Sequence, residues 1–98
     1  MKLRLTPKAE EDVIGIYGYG VTAFGVDQTE QYYAALNSTF LLLVDQPLLA
    51  RERIEFTPPV RIHFHGSHVI VYVVVDGTLL IVRVRGSRQD WARVLSGH

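Results

Sequence analysis

The stretch "VRIHFHGSHVIVYVVVDGTLLIVRVRG", Val60 to Gly86, decides how this chain folds. Three runs rich in β-branched and aromatic residues, "VRIHFH", "HVIVYVVV" and "TLLIVRVR", are separated by Gly66-Ser67 and Asp76-Gly77. Both pairs are two-residue connections of the kind that join adjacent antiparallel strands. Loops this short fix the register. His65 then opposes His68, His63 opposes Ile70 and Arg61 opposes Tyr72. Across the second bend Val74 opposes Leu79, Tyr72 opposes Ile81, Ile70 opposes Arg83 and His68 opposes Arg85.

This register predicts two unlike faces, because side chains alternate along a strand. One carries Val60, Ile62, Phe64, Val69, Val71, Val73, Val75, Leu80, Val82 and Val84, is wholly apolar, and is expected to bury against helices. The other carries Arg61, His63, His65, His68, Tyr72, Arg83 and Arg85 among Ile70, Val74, Leu79 and Ile81. It is expected to point away from the helices, where another molecule can meet it.

Upstream, "KLRLT" alternates as a short strand, and "TPKAEED" opens a helix. Thr6 fits the N-cap, Pro7 the first helical position, and Glu10, Glu11 and Asp12 the positive end of the dipole. Ala9, Val13, Ile16, Tyr17, Val21 and Phe24 follow helical spacing. Gly15, Gly18 and Gly20 each cost about 1 kcal/mol relative to alanine there. They predict either a closely packed neighbour or a frayed second half, with Gly25 as the stop. Asp27 with Glu30 predicts a reciprocal cap for a second helix to about Asp45, with Tyr33, Leu36, Phe40, Leu43 and Val44 on one stripe and Pro47 ending it. "PLLARERIEFTPP" predicts a surface connection with one extended piece, and "SRQDWARVL" a turn and a short helix.

Ninety-eight residues with 48% hydrophobic and 20% charged side chains predict one domain, residues 1–98, without low-complexity segments. There is no cysteine, which removes disulfides, thiol catalysis and sulfur-ligated zinc and fits a reducing cytoplasm. Met1 to Pro7 lacks the apolar core of a signal peptide, and the longest apolar runs are too short to span a bilayer. A soluble, cytoplasmic protein with no membrane contact is expected. Net charge is zero but uneven: residues 1–60 carry five Lys/Arg against eight Asp/Glu, and residues 61–98 five Arg against two Asp. A basic half that also holds the histidines points to a charged partner.

Three chemistries compete for the basic face. His63, His65 and His68 could approach one metal ion, but Arg61, Arg83 and Arg85 oppose a dication and no carboxylate shares the face, so no metal and no cofactor is expected. Arg61, His63, His65, Arg83 and Arg85 are the groups a metal-free ribonuclease would use, since guanidinium groups fork onto phosphates and imidazoles transfer protons near neutral pH. A half-apolar, basic face also suits an acidic, amphipathic peptide from a partner. A stand-alone nucleic-acid-binding module is disfavoured by overall neutrality and the acidic first helix.

The strings "LTPKAEEDVIGIYGYGVTAFG", "QTEQYYAALNSTFLLLVDQP", "PPVRIHFHGSHVIVYVV" and "LLIVRVRGSRQDW" together resemble the ParE-type toxins of the ParE/RelE superfamily. The resemblance spans nearly the whole chain. It runs through Thr6, Ala9, Glu10, Ile16, Phe24-Gly25 (where Trp-Gly is usual), Tyr33, Leu36, Phe40, Pro47 and Arg51. It continues through Arg61, His68, Tyr72, Ile81, Arg83-Val84, Arg88 and Asp90. Single positions are unspecific; their order and spacing carry the likeness. It implies an α+β fold: an N-terminal strand, an antiparallel helix hairpin packed on an antiparallel sheet (β-α-α-β-β-β) and a short C-terminal helix. It also implies the toxin of a type II toxin–antitoxin module. The partner would be a ParD-like antitoxin, with a ribbon-helix-helix part that binds operator DNA and a C-terminal segment that wraps the toxin.

ParE-branch members are associated with poisoning DNA gyrase, and RelE-branch members with cleaving mRNA on the ribosome. The ending "RVRGSRQDW" is close to the ParE-like one, although Gly86 stands where that ending often carries His and Ala50 replaces a frequent Gly before Arg51. No Tyr follows Asp90, no lysine follows Lys8, and zero net charge disfavours docking on ribosomal RNA. Gyrase is therefore the expected target. Arg83, Arg85, Arg88 and Trp91 are expected to bind it, and Arg61, His68, Ile70, Tyr72, Val74, Leu79 and Ile81 to receive the antitoxin. The groove left by the glycine-rich first helix is the other place expected to receive it.

Overall fold

A computed structural model of the chain describes residues 1–89 and 91–96. Its elements run β1 (Lys2–Leu5), α1 (Pro7–Phe24), α2 (Val26–Asp45), β2 (Glu52–Arg53), β3 (Val60–His65), β4 (His68–Val75), β5 (Thr78–Gly86) and α3 (Trp91–Ser96). The expected α+β order is present. Five strands form one sheet in the order β1-β5-β4-β3-β2. β1 lies parallel to β5, so the sheet is mixed rather than antiparallel throughout.

Thr6 joins the first strand, the first helix and the last strand through one hydroxyl. Its Oγ1 accepts from Ala9 N at 3.0 Å, the N-cap bond, and donates to Val82 O at 2.8 Å. α1 is continuous through all three interior glycines and ends at Gly25, whose φ is 87°. Gly25 is also the N-cap of α2, and its carbonyl accepts from both Thr29 N (3.2 Å) and Thr29 Oγ1 (2.7 Å). The expected Asp27–Glu30 reciprocal cap is therefore absent, because a one-residue joint starts α2 at Val26, before Asp27. Glu30 instead accepts from Tyr17 Oη at 2.6 Å, across the hairpin. The two helices meet where Gly20 faces Thr29: a Cβ on Gly20 would lie 2.9 Å from Thr29 Cγ2 and Oγ1.

Both hairpin loops fall where expected. Asp76 (φ 49°) and Gly77 (φ 71°) take the paired left-handed conformation of a type I′ loop, and Gly66 (φ 54°) takes the glycine position of a II′ loop. β3–β4 has the expected register, as does β4–β5 from the loop to Tyr72↔Ile81. Beyond that point the register shifts: Val71 opposes Arg83, Ile70 opposes Val84, Val69 opposes Arg85 and His68 opposes Gly86. Val82 is the extra residue of a β-bulge, which puts Val84 rather than Arg83 opposite Ile70 on the helix side. The expected Ile70–Arg83 and His68–Arg85 pairs are corrected accordingly.

The sheet is also inverted relative to expectation. The helix hairpin covers the face of Ile70, Tyr72, Leu79 and Ile81, which build one core with Val84, Ala9, Val13, Leu36, Phe40 and Leu43. The all-apolar face forms a second core, in which Phe56, Val60, Ile62, Val69, Val71 and Leu95 pack together with half-buried Val73, Val82 and Trp91. Both faces are greasy enough to be buried, and α3 takes the one the hairpin leaves.

A groove between the helix hairpin and the basic sheet end

Two side-chain networks tie the helices to the sheet. In the first, Asp12 leaves α1 beside the stretch of β5 that β1, paired only over Thr78–Ile81, does not reach. Its Oδ2 accepts from Arg83 Nε (2.8 Å) and Val84 N (3.0 Å), and its Oδ1 from Arg83 Nη2 (3.0 Å). One carboxylate thus satisfies a strand-edge N–H and a bidentate guanidinium. That bond holds the Arg83 pKa above its ordinary value. Arg85 Nη1 stands 3.6 Å from Oδ1, and Arg85 Nε is buried without a hydrogen-bond partner among the described residues.

In the second network α2 grips the β3–β4 loop. Tyr32 Oη lies 2.6 Å from His68 Nδ1 and donates to His65 O at 3.2 Å, and Thr39 Oγ1 lies 2.9 Å from His65 Nδ1. A Cβ on Gly66 would come within 3.0 Å of Tyr32 Oη, so glycine is required there for space as well as for φ. Burial, then the neighbouring imidazole (His63 for His65, His65 for His68), pushes both pKa values down.

The expected site residues therefore separate. His63, His65 and His68 lie on the helix side of the sheet in register with Ile70 and one another, and Arg83 is committed to Asp12. Arg61 Nη1 donates to Ala50 O at 2.6 Å. Tyr72 Oη donates to Pro47 O at 2.9 Å, and burial raises its pKa. Both side chains are engaged in anchoring the loop after α2. Ile70, Tyr72, Leu79 and Ile81 are at 0% exposure and are core, not docking surface; Val74 remains 37% exposed. Arg88 is exposed, and half-buried Trp91 packs between Phe56 (6.3 Å) and Phe64 (6.4 Å, edge-on). Asp90 lies outside the described residues.

What remains open is a groove of about 1210 Å³ between the hairpin and the end of the sheet. Glu11, Asp12, Gly15, Ile16, Tyr19 and Phe24 of α1 form one wall; Thr29, Tyr32 and Leu36 of α2 another; and His68, Arg85 and Arg88 the basic end. Nothing lies within 4 Å of a Cβ built on Gly15, so that glycine widens the groove. The glycine-rich first helix pointed to this groove, but Asp12 and Tyr32 were missed. The legible signal for Asp12 is its place between Ala9, Val13 and Ile16: a carboxylate flanking a buried stripe needs a cation or N–H donors.

This fold, a mixed sheet between a helix hairpin and a short C-terminal helix, is found in a solved chain of the chromosomal ParDE TA system from P. aeruginosa. That chain superposes with a TM-score of 0.74 at 20% identity, over 88% of this chain and 95% of that one. The family of the ParE toxin of the type II toxin–antitoxin system, parDE, matches residues 3–91. Toxin ParE1 of Mycobacterium tuberculosis, strains CDC 1551 / Oshkosh and H37Rv, is 34% identical over 92 residues, covering 93% of this chain and 94% of each relative. The chain belongs to the ParE toxin family.

Proposed function

We propose that the chain acts as the toxin of a parDE-type module, that its partner is a ParD-type antitoxin seated in the groove between α1–α2 and the basic sheet end, and that its target is DNA gyrase. The family match over residues 3–91 carries the toxin reading. The groove supports the partner reading: it is mostly apolar and basic at one end. The antitoxin reads operator DNA through its own ribbon-helix-helix part.

Gyrase is favoured over mRNA because three of the five groups a nuclease would use, Arg61, His65 and Arg83, are already engaged. His65 and His68 bond to Thr39 and Tyr32, Arg61 to Ala50 O and Arg83 to Asp12. The sheet face under α3 offers valine, isoleucine, leucine and aromatic side chains. The target-binding end narrows to Arg85, Arg88 and Trp91, since Arg83 is held. Purified gyrase assayed for supercoiling with added toxin is the test: inhibition relieved by the antitoxin is expected. Undiminished supercoiling together with cleaved mRNA in a translating extract would assign the chain to the nuclease branch.

A further inference from the structure

The two ends of the groove differ chemically, and the distance between them limits what can occupy both. At the sheet end Asp12 already accepts three N–H groups, and Arg85, whose buried Nε has no partner among the described residues, sits 3.6 Å away. His68 and Arg88 line the same end. The Arg85–Asp12 contact is longer than a hydrogen bond and the Arg85 side chain is still 26% exposed, so its guanidinium has room for a further acceptor. At the hairpin tip Tyr19 and Phe24 meet edge to face at 6.3 Å while staying 70% and 58% exposed. An aromatic pair left this open gains by being covered. Glu11 and Asp12 stand at the sheet end and repel a polyanion, so a single carboxylate suits Arg85 better than a phosphate chain. Along α1, Asp12 and Phe24 stand about 18 Å apart at the rise of an α-helix.

We infer that the segment seated here carries a carboxylate that pairs with Arg85 and an apolar side chain that covers Tyr19 and Phe24. The two are separated by about twelve residues if the segment is helical, or five to six if it is extended. This deepens, and rests on, the reading that an antitoxin occupies the groove. The carboxylate completes the hydrogen bonding that Asp12 leaves unfinished, and the apolar group removes the exposed ring pair from water.

The chain has no cysteine, so a single Gly15→Cys variant reports on the groove directly. The probe is the ParD-type protein whose co-expression rescues growth from this chain. It is expected to protect Gly15→Cys from maleimide labelling. Arg85→Gln is expected to raise Kd about tenfold or more and to flatten its salt dependence. Phe24→Ser should raise Kd about tenfold with the salt dependence intact. Protection at Gly15→Cys combined with an Arg85→Gln Kd within about threefold of wild type overturns this inference and leaves the groove reading standing. No protection at Gly15→Cys removes both. Should Arg85→Gln fail to fold, exposed Arg88→Glu reads the same end, and an unchanged Kd there overturns the pairing. Displacement of the probe by a single-stranded oligonucleotide would give the groove to nucleic acid instead.

Discussion

Asp12 and Arg83, 71 positions apart, form a bidentate ion pair with side chains only 9% and 12% exposed. The same carboxylate accepts from Val84 N, so it takes over the strand edge where β1 ends. Removing it leaves a guanidinium and a backbone N–H facing low-dielectric surroundings. Asp12→Ala should destabilise the chain by about 3 kcal/mol, and Asp12→Asn, which keeps an acceptor for Val84, by less. Urea unfolding of the two variants checks the order; equal costs would mean that the hydrogen bond asparagine keeps to Val84 contributes nothing beyond the charge.

The interior glycines of α1 should respond with opposite signs. A methyl group on Gly15 or Gly18 meets nothing within 4 Å, so alanine there should stabilise by about 0.5–1 kcal/mol through helix propensity. At Gly20 the methyl would press on buried Thr29, whose hydroxyl is fixed to Gly25 O. Gly20→Ala should cost about 1–3 kcal/mol despite the propensity gain. Thermal melts of the three alanine variants distinguish a tight helix crossing from a merely flexible helix.

Acid should loosen the grip of α2 on the β3–β4 loop. His65 and His68 have depressed pKa values in the fold, from burial first, and meet Thr39, Tyr32 and neighbouring imidazoles rather than a carboxylate. In the unfolded chain they protonate near about pH 6.5. Between that value and the lower folded ones the unfolded state holds more protons, so stability rises with pH and is lost as pH falls through this window. The melting temperature is expected to be lower at pH 5.5 than at pH 7.5. The gap should shrink in a His65→Gln, His68→Gln double variant, and a gap of unchanged size there would place the acid sensitivity elsewhere.

The loop after α2 hangs on Tyr72. Its hydroxyl donates to Pro47 O and accepts from Ala50 N at 3.4 Å, so Tyr72→Phe should cost about 1 kcal/mol. Hydrogen exchange should quicken at Ala50; an unaltered exchange rate would show that Arg61 alone holds the loop.

On the other side of the sheet, Leu95 is 1% exposed against Val69 and Val71. Leu95→Ala should cost about 2–4 kcal/mol, while Val75→Ala, half exposed at the β4–β5 loop, should cost under about 0.5. Similar losses for the two would mean that α3 does not close the second core.

The legible part of the site follows from what each feature depends on. That Arg85 and Arg88 make the end of the last strand basic, and that the glycine-rich helix leaves a groove, are both legible from composition within a few residues. The roles of Tyr72, Ile70, Leu79 and Ile81 were misread because an alternating strand gives the period but not the side. Here both faces are apolar, so alternation alone could not say which would receive the hairpin. Arg83 was misplaced for a separate reason. At the Val82 bulge Thr6 Oγ1 donates to Val82 O and Asp12 accepts from Val84 N, contacts spanning more than 70 positions.

The sequence by itself determined the elements, both loops, the register next to each loop and the family, because these rest on local backbone preference and on spacing. Only the tertiary structure decided which face of the sheet the hairpin covers, where the last strand shifts register and which arginine is left with a bond to make. Those outcomes arise from packing two apolar faces at once and from satisfying polar groups brought together from opposite ends of the chain. No window of sequence contains both partners.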